Sequence, residues 1–303
     1  MTLTLVQIVV LAVIQGLAEL LPVSSSAHVV VAEKLLGLDP TTPQMTLILV
    51  MLHTGTMFAV IVYFWNQWKR SYFATADAFK RFAIRAIWAT LLTVIIGYPL
   101  IELIEKTAFK GLPKADIEQL FGRLDLVAYA LFAAGLLILW AGTRQRDAEA
   151  EATNAYDRSI ARSGDNVTFR QAGWMGAIQG LCLPFRGFSR SGATISTGLI
   201  AGANRERAER FSFALAVILT PPVIAREALR LLHAAHEAAA AGTPLDLHAS
   251  LVAALLGMLF SFLAGLAALR WLSSWLENGR WYLFGIYCLL ASAVVFAMHL
   301  RGV

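Results

Sequence analysis

The sequence predicts an all-α integral membrane protein arranged as an inverted repeat. Each unit is one re-entrant helical hairpin followed by three transmembrane helices, giving six full spans in total. Three observations predict this. Of the 303 residues, 58% are hydrophobic and 15% charged, whereas a soluble domain carries about 25% charged residues. Several apolar runs reach the roughly 20 residues that cross a bilayer. Finally, the order of apolar pieces is a short pair, three spans, a polar stretch, a short pair and three spans. Ile14-Gln15-Gly16-Leu17 recurs as Ile178-Gln179-Gly180-Leu181, an offset of 164 (178 minus 14) that also carries Ser25 onto Ser189.

In the first unit, residues 1–143, Leu3–Leu21 could just span. Gln15, Gly16 and Glu19 make its last turns polar, however, and Pro22 ends it. The next apolar piece, Val29–Leu38, is too short to cross. A broken helix followed by a stub predicts a hairpin over about residues 3–38 that enters and leaves by one face. Irregular backbone at that depth needs protein or a wet cavity around it. Three spans follow Pro43, at about Met45–Trp65, Phe82–Ile104 and Leu124–Gly142. Residues 144–170 mix five arginines with five acids and read as a cytoplasmic loop, partly helical around Ala148–Ala152. The second unit, residues 171–303, opens with the short pieces Ala172–Pro184 and Gly192–Ala203, a hairpin over about 172–203. Its spans lie near Phe211–Leu232, Ser250–Leu272 and Trp281–Leu300. Because three spans are an odd number, the second unit is inverted relative to the first. Met1–Leu21 has no basic n-region and is read as mature protein, not as a signal peptide.

Charge orients this arrangement. Fifteen of the 25 basic residues fall on one side: Lys69 to Arg85, Arg144 to Arg170, Arg205 to Arg210, and Arg270 with Arg280. Six fall on the other, namely Lys34, Lys106, Lys110, Lys114, Arg123 and Arg301. The richer side is cytoplasmic, which places both termini outside. The net charge of +5 therefore reports loop topology and implies no nucleic-acid partner. Trp65–Trp68 and Trp281–Tyr282 fit an interfacial aromatic belt. Cys182 and Cys288 have no metal-ligand spacing and read as packing residues.

Chemistry concentrates at the two hairpins. Arg186-Gly187-Phe188-Ser189-Arg190-Ser191-Gly192-Ala193-Thr194 puts two arginines among small residues and hydroxyls. An arginine at membrane depth costs roughly 2.5–3.5 kcal/mol on insertion scales, so it needs a partner or a purpose. Arg190 offers a planar fork of donors suited to phosphate oxygens, and a helix starting near Ser191 would aim free N–H groups into the same space. The first hairpin carries Gln15 and Glu19 on one helix face, then Ser24, Ser25, Ser26 and His28. Glu19 and Gln15 suit a hard cation such as magnesium or calcium; Glu19 alone could equally be the counter-ion of Arg190. His28 could act as a general base or form a nucleophile pair with Ser25, while Ser24 or Ser26 could cap a helix starting near Ala27. His53 and Thr54, inside the first span with Gly55, could pack against the hairpin or take part in catalysis. Arg226, Glu227 and Arg230 read as a snorkelling or paired group, and His233, His236 and His248 as loop residues.

These residues resemble the bacterial undecaprenyl pyrophosphate phosphatases linked to bacitracin resistance, essentially end to end. Gln15 and Glu19 match the family's Glu-or-Gln, three residues, Glu motif. Leu21-Pro22-Val23-Ser24-Ser25-Ser26-Ala27-His28 resembles its LPVSS stretch ending in histidine. Gly187 to Thr194 match its Pro-Gly-x-Ser-Arg-Ser-x-x-Thr motif, with Arg186 in place of the proline. The resemblance implies hydrolysis of undecaprenyl pyrophosphate to undecaprenyl phosphate and inorganic phosphate at a bacterial inner membrane, in a site open to the periplasm. It assigns catalysis to His28, Ser25, Glu19 and Arg190, and phosphate binding to Gly187, Ser189, Arg190, Ser191, Thr194 and Ser24. A magnesium or calcium ion would lie near Glu19 and Gln15, and either Ser25 or a water would attack the terminal phosphorus. The alternative is a lipid-phosphate flippase or transporter using the same inverted-repeat pocket.

Overall fold

The computed structural model describes residues 3–108, 120, 122–151, 166–240, 246–276 and 280–302. Among them are ten α-helices and no strand: α1 (Leu5–Leu20), α2 (Ser25–Leu35), α3 (Pro43–Ser71), α4 (Ala76–Ala108), α5 (Leu124–Glu151), α6 (Phe169–Cys182), α7 (Arg190–Ile200), α8 (Arg205–Ala240), α9 (Leu247–Leu276) and α10 (Trp281–Leu300). Six of these, α3, α4, α5, α8, α9 and α10, are long and apolar enough to cross a membrane. The other four have 16, 11, 14 and 11 residues. At about 1.5 Å per residue none exceeds about 24 Å, less than the roughly 30 Å of a hydrocarbon core. Two short and three long helices thus occur twice in order.

Both hairpins begin with the same device. Thr4 accepts from the Gln7 backbone N–H while the Gln7 side chain accepts from the Thr4 N–H. Thr168 and Gln171 repeat this capping box, and the offset is again 164 (168 minus 4). Each reciprocal pair satisfies N–H groups that a helix start otherwise leaves orphaned.

The hairpins are buttressed crosswise: α1 packs on α9 and α6 on α4. Glycine permits both crossings. A Cβ on Gly16 would lie 2.5 Å from Ala264 Cβ and 2.8 Å from Gly265 N. On Gly180 it would lie 2.8 Å from Thr93 O and 3.1 Å from Gly97 N. The repeated Gln-Gly pair therefore marks the point where each hairpin touches the other unit's helix. Gln179 Nε2 donates to Thr93 Oγ1 at 3.1 Å in the second crossing. Around this frame α5 packs on α10, and α3 on α8 and α9. The lipid-facing sides of the spans expose large apolar residues such as Ile87, Ile95, Tyr129, Leu263 and Leu290, as a bilayer solvent requires.

Several sequence expectations shift. The span expected at Phe211–Leu232 is part of a 36-residue helix that continues through Pro221 and Pro222. His233 and His236 therefore lie on α8 and His248 on α9, not in a loop. Proline in a spanning helix is tolerated when neighbouring groups satisfy the freed carbonyls. Trp68 and Trp281 are 5% and 1% exposed, so they are core residues and not belt residues. Trp281 Nε1 donates to Ser196 Oγ at 3.0 Å, and the Arg205 guanidinium stacks on its ring. Arg230 and Arg226 pair with Glu227 at 3.6 and 3.8 Å. The polar loop lies outside the described residues from 152 to 165, as do Lys110 and Lys114; α5 itself continues to Glu151.

Candidate active site

The ends of α1, α2, α6 and α7 meet beside the middle of α3 around a small open cavity of about 80 Å³. Glu19 reaches it from the last turn of α1, four residues after Gln15 on the same face. Ser24, Ser25 and Ser26 line it at the start of α2, and His53 from α3. Ser189, Arg190 and Ser191 line it at the start of α7, with Cys182, Phe185 and Phe188 forming an apolar wall. The turn that presents Ser25 is unusual: Ser24 has φ 66, the one positive φ outside glycine among the described residues. It is the N-cap of α2, yet its side chain makes no capping bond. The helix therefore starts two residues before Ala27, and capping is not the work of Ser24 or Ser26, whose hydroxyls lie 3.4 Å from each other.

Glu19 is the hub. Arg190 Nη2 donates to its Oε1 at 2.7 Å. Gln15 Nε2 donates to Oε2 at 2.9 Å, and the Ser25 hydroxyl donates to the same oxygen. His53 Nε2 lies 3.3 Å from Oε2 and 3.4 Å from Ser25 Oγ. Since a carbonyl can only accept, the His53 Nδ1 proton goes to Leu49 O at 2.9 Å, which leaves Nε2 facing the serine and the carboxylate. Glu19 is 4% exposed, and a buried carboxylate persists only when compensated this completely. The start of α7 adds its positive dipole end. A serine held on a carboxylate, beside an arginine and the start of a helix that Ser189 caps through Gly192 N, suits attack on a phosphorus with stabilisation of its oxygens.

The structure sorts the expected site residues. Glu19, Ser24, Ser25, Ser189, Arg190 and Ser191 share the cavity. Thr194 does not line it: its Oγ1 donates to Arg190 O at 2.8 Å and lies 2.6 Å from Ser212 Oγ, fastening α7 to α8. Gly187, at φ 109, serves packing, since a Cβ there would lie 2.6 Å from Val127 O on α5. His28 faces away, its Nδ1 on Ser24 O at 2.8 Å and its Nε2 on Tyr287 Oη at 2.6 Å, so it is not placed to take the Ser25 proton. His53 takes the position next to Ser25 that the sequence gave first to His28; it stands outside both motifs, but its expected packing against the hairpin holds. Phe185 and Phe188 carried no signal apart from their nearness to the arginine loop.

The expected cation has no protein cage. Glu19 is the single carboxylate among the lining residues, and both its oxygens are committed. Gln15 offers it a donor, leaving Oε1 buried without a partner. No group of three metal-ligating side chains occurs among the described residues. Hard cations require about six oxygens, so these residues do not fit an ion held by the protein alone.

A family model described as bacitracin resistance protein BacA matches residues 8–294. The chain belongs to the BacA family. It is 54% identical over 294 residues to undecaprenyl-diphosphatase 2 of Acinetobacter baylyi, covering 97% of this chain and 98% of that one. It is 36% identical to the undecaprenyl-diphosphatase of Gluconacetobacter diazotrophicus over 97% of each chain. Identity to that of Desulfosudis oleivorans is 34%, over 98% of this chain and 99% of the relative. The matched residues include every cavity-lining residue and all of the helices except the first turn of the first helix and the last turns of the last.

Proposed function

We infer that the chain hydrolyses undecaprenyl pyrophosphate to undecaprenyl phosphate and inorganic phosphate, the activity named for its BacA relatives. The observation that carries this reading is the Ser25 hydroxyl donating to Glu19 while Arg190 grips the other carboxylate oxygen. An anion-binding arginine and an activated hydroxyl meet inside a membrane protein. In this reading the polyprenyl tail stays in the bilayer and the pyrophosphate enters the cavity. Arg190 turns its donors to the phosphates, joined by Ser189, Ser191 and the α7 N–H groups. Ser25 Oγ bonds to the terminal phosphorus and its proton passes to Glu19. The bond from that phosphorus to the bridging oxygen breaks, and undecaprenyl phosphate departs. Water then cleaves the phosphoserine, releasing inorganic phosphate and restoring the hydroxyl. Water attacking directly gives the same products without the covalent step. A divalent cation enters as a complex with the pyrophosphate and not as a bound ion of the protein. The cavity serves the outer face of the inner membrane, the side poorer in basic residues.

A flippase would use the same pocket without a nucleophile. Phosphate release from undecaprenyl pyrophosphate by detergent-purified protein separates the two. We expect release by wild type, suppression by a chelator, and loss in folded Arg190→Ala. Folded wild type that releases none with added magnesium or calcium would overturn the reading.

A further inference from the structure

One polar link joins the cavity to the lipid-facing side of the protein, and it runs through residues that the chemistry above leaves unused. We propose that Tyr287 is a positioning residue for the phosphatase reaction, acting through His28 on the turn that aims Ser25. The proposal rests on the phosphatase reading. Tyr287 stands on α10, 45% exposed among apolar neighbours, 259 residues from His28 in sequence. Its Oη lies 2.6 Å from His28 Nε2, and the two rings are nearly parallel, 11° apart in plane.

The direction of these bonds follows from the partners. Ser24 O is a carbonyl and can only accept, so His28 Nδ1 carries the proton on that side. In the neutral ring Nε2 is then an acceptor, and the Tyr287 hydroxyl donates to it. The ring matters to the turn because the backbone holds it weakly. The first-turn bond from His28 N to Ser24 O is long, 3.4 Å, whereas His28 Nδ1 lies 2.8 Å from the same oxygen. Ser24 is left-handed and lacks a side-chain cap, a conformation that persists only where its surroundings impose it. The next residue on α10, Cys288, touches the same turn through Pro22 O at 3.6 Å. Thus α10, from the second unit, grips the serine turn of the first at two points, and Tyr287 fixes the tautomer and plane of the ring that holds Ser24 O.

The test uses the full-length protein in detergent with undecaprenyl pyrophosphate. Tyr287→Phe removes one hydroxyl from an exposed side chain and keeps the ring stack. We expect kcat to fall about three- to tenfold with KM within about twofold, the loss of one neutral hydrogen bond felt at the reacting serine. In a His28→Ala background the same change should cost nothing further. Tyr129→Phe, another lipid-facing tyrosine, should keep wild-type kcat. On wild-type protein, isotope-labelled histidine NMR should show His28 protonated at Nδ1 and unprotonated at Nε2. Wild-type kcat in Tyr287→Phe would overturn the proposal, as would an equal loss with and without His28 or the opposite tautomer. Wild type that releases no phosphate overturns the phosphatase reading itself. Release by wild type, loss in Arg190→Ala and no change in Tyr287→Phe overturns this inference alone.

Discussion

Replacing Glu19 by glutamine isolates what the carboxylate does, because shape is kept while one negative charge and one acceptor oxygen are lost. In the wild type, Arg190 donates to one oxygen, and Gln15 and Ser25 donate to the other. An amide can accept on one side only, so its NH2 must face either Arg190, donor against donor, or the Gln15–Ser25 pair, which must then flip the Gln15 amide and turn the hydroxyl to accept. Breaking a buried ion pair costs about 3–5 kcal/mol. Arg190 is 26% exposed toward the cavity, and solvent screening reduces the figure to roughly 2–3 kcal/mol of stability. The kinetic effect is larger. A positioned proton acceptor contributes about 10²–10⁴ in rate, so kcat should fall by about that factor, equivalent to about 2.7–5.4 kcal/mol. KM should stay level or drop, because Arg190 is released to bind phosphate. Arg190→Ala should instead raise KM as well as lower kcat. Phosphate release across a substrate series, with melting curves to confirm folding, reads both parameters. Folded Glu19→Gln with kcat within threefold of wild type would refute the proton-acceptor role.

Two further changes test other parts of the structure. Thr194→Val removes the partner of the buried Ser212 hydroxyl and should cost about 1–3 kcal/mol of stability, leaving KM within about twofold. A tenfold rise in KM with unchanged melting would return Thr194 to the phosphate site. Gly176→Ala places a Cβ 2.2 Å from Ala89 O and 2.5 Å from Ala89 Cα, both backbone. It should destabilise the α4–α6 crossing by about 1–3 kcal/mol or more, and wild-type melting would show that the crossing yields freely.

Apolar length and polar breaks made the six spans and two hairpins legible, because a bilayer rewards run length directly. The capping boxes at Thr4 and Thr168, written in Thr-x-x-Gln at the common offset, emerged only with the structure. Helix ends were less legible than spans. The span read near Phe211–Leu232 is only the middle of α8, which starts at Arg205 and runs on to Ala240 because polar residues continue its helical pattern beyond the apolar run. Trp68 and Trp281 were misplaced because a tryptophan near a span end has the same local pattern whether it faces headgroups or core. At the site, Glu19, Ser25 and Arg190 stood out as polar residues at apolar depth. The position of His53 depends on how α3 packs beside α1, and Tyr287 on α10 meeting a turn more than 250 residues away. Local pattern brought His53 to the hairpin but not to Ser25, and held nothing of Tyr287. Thr194 matched its motif in spacing, yet its hydroxyl turned to the helix backbone, an option threonine always has.

The offset of 164 has one more consequence. Position for position, Gln15 answers to Gln179, Gly16 to Gly180 and Ser25 to Ser189, but Glu19 answers to Leu183, Arg190 to Ser26 and His53 to Val217. The scaffold is doubled while the charges are not. Two copies of Glu19, or two of Arg190, brought together in one cavity would repel at close range with little water to screen them. One of each attracts. A hollow between two like hairpins must therefore be unlike in charge on its two sides for one anion to be drawn into it. That difference turns a two-sided frame into a site with a single direction: serine and carboxylate from one half, arginine from the other.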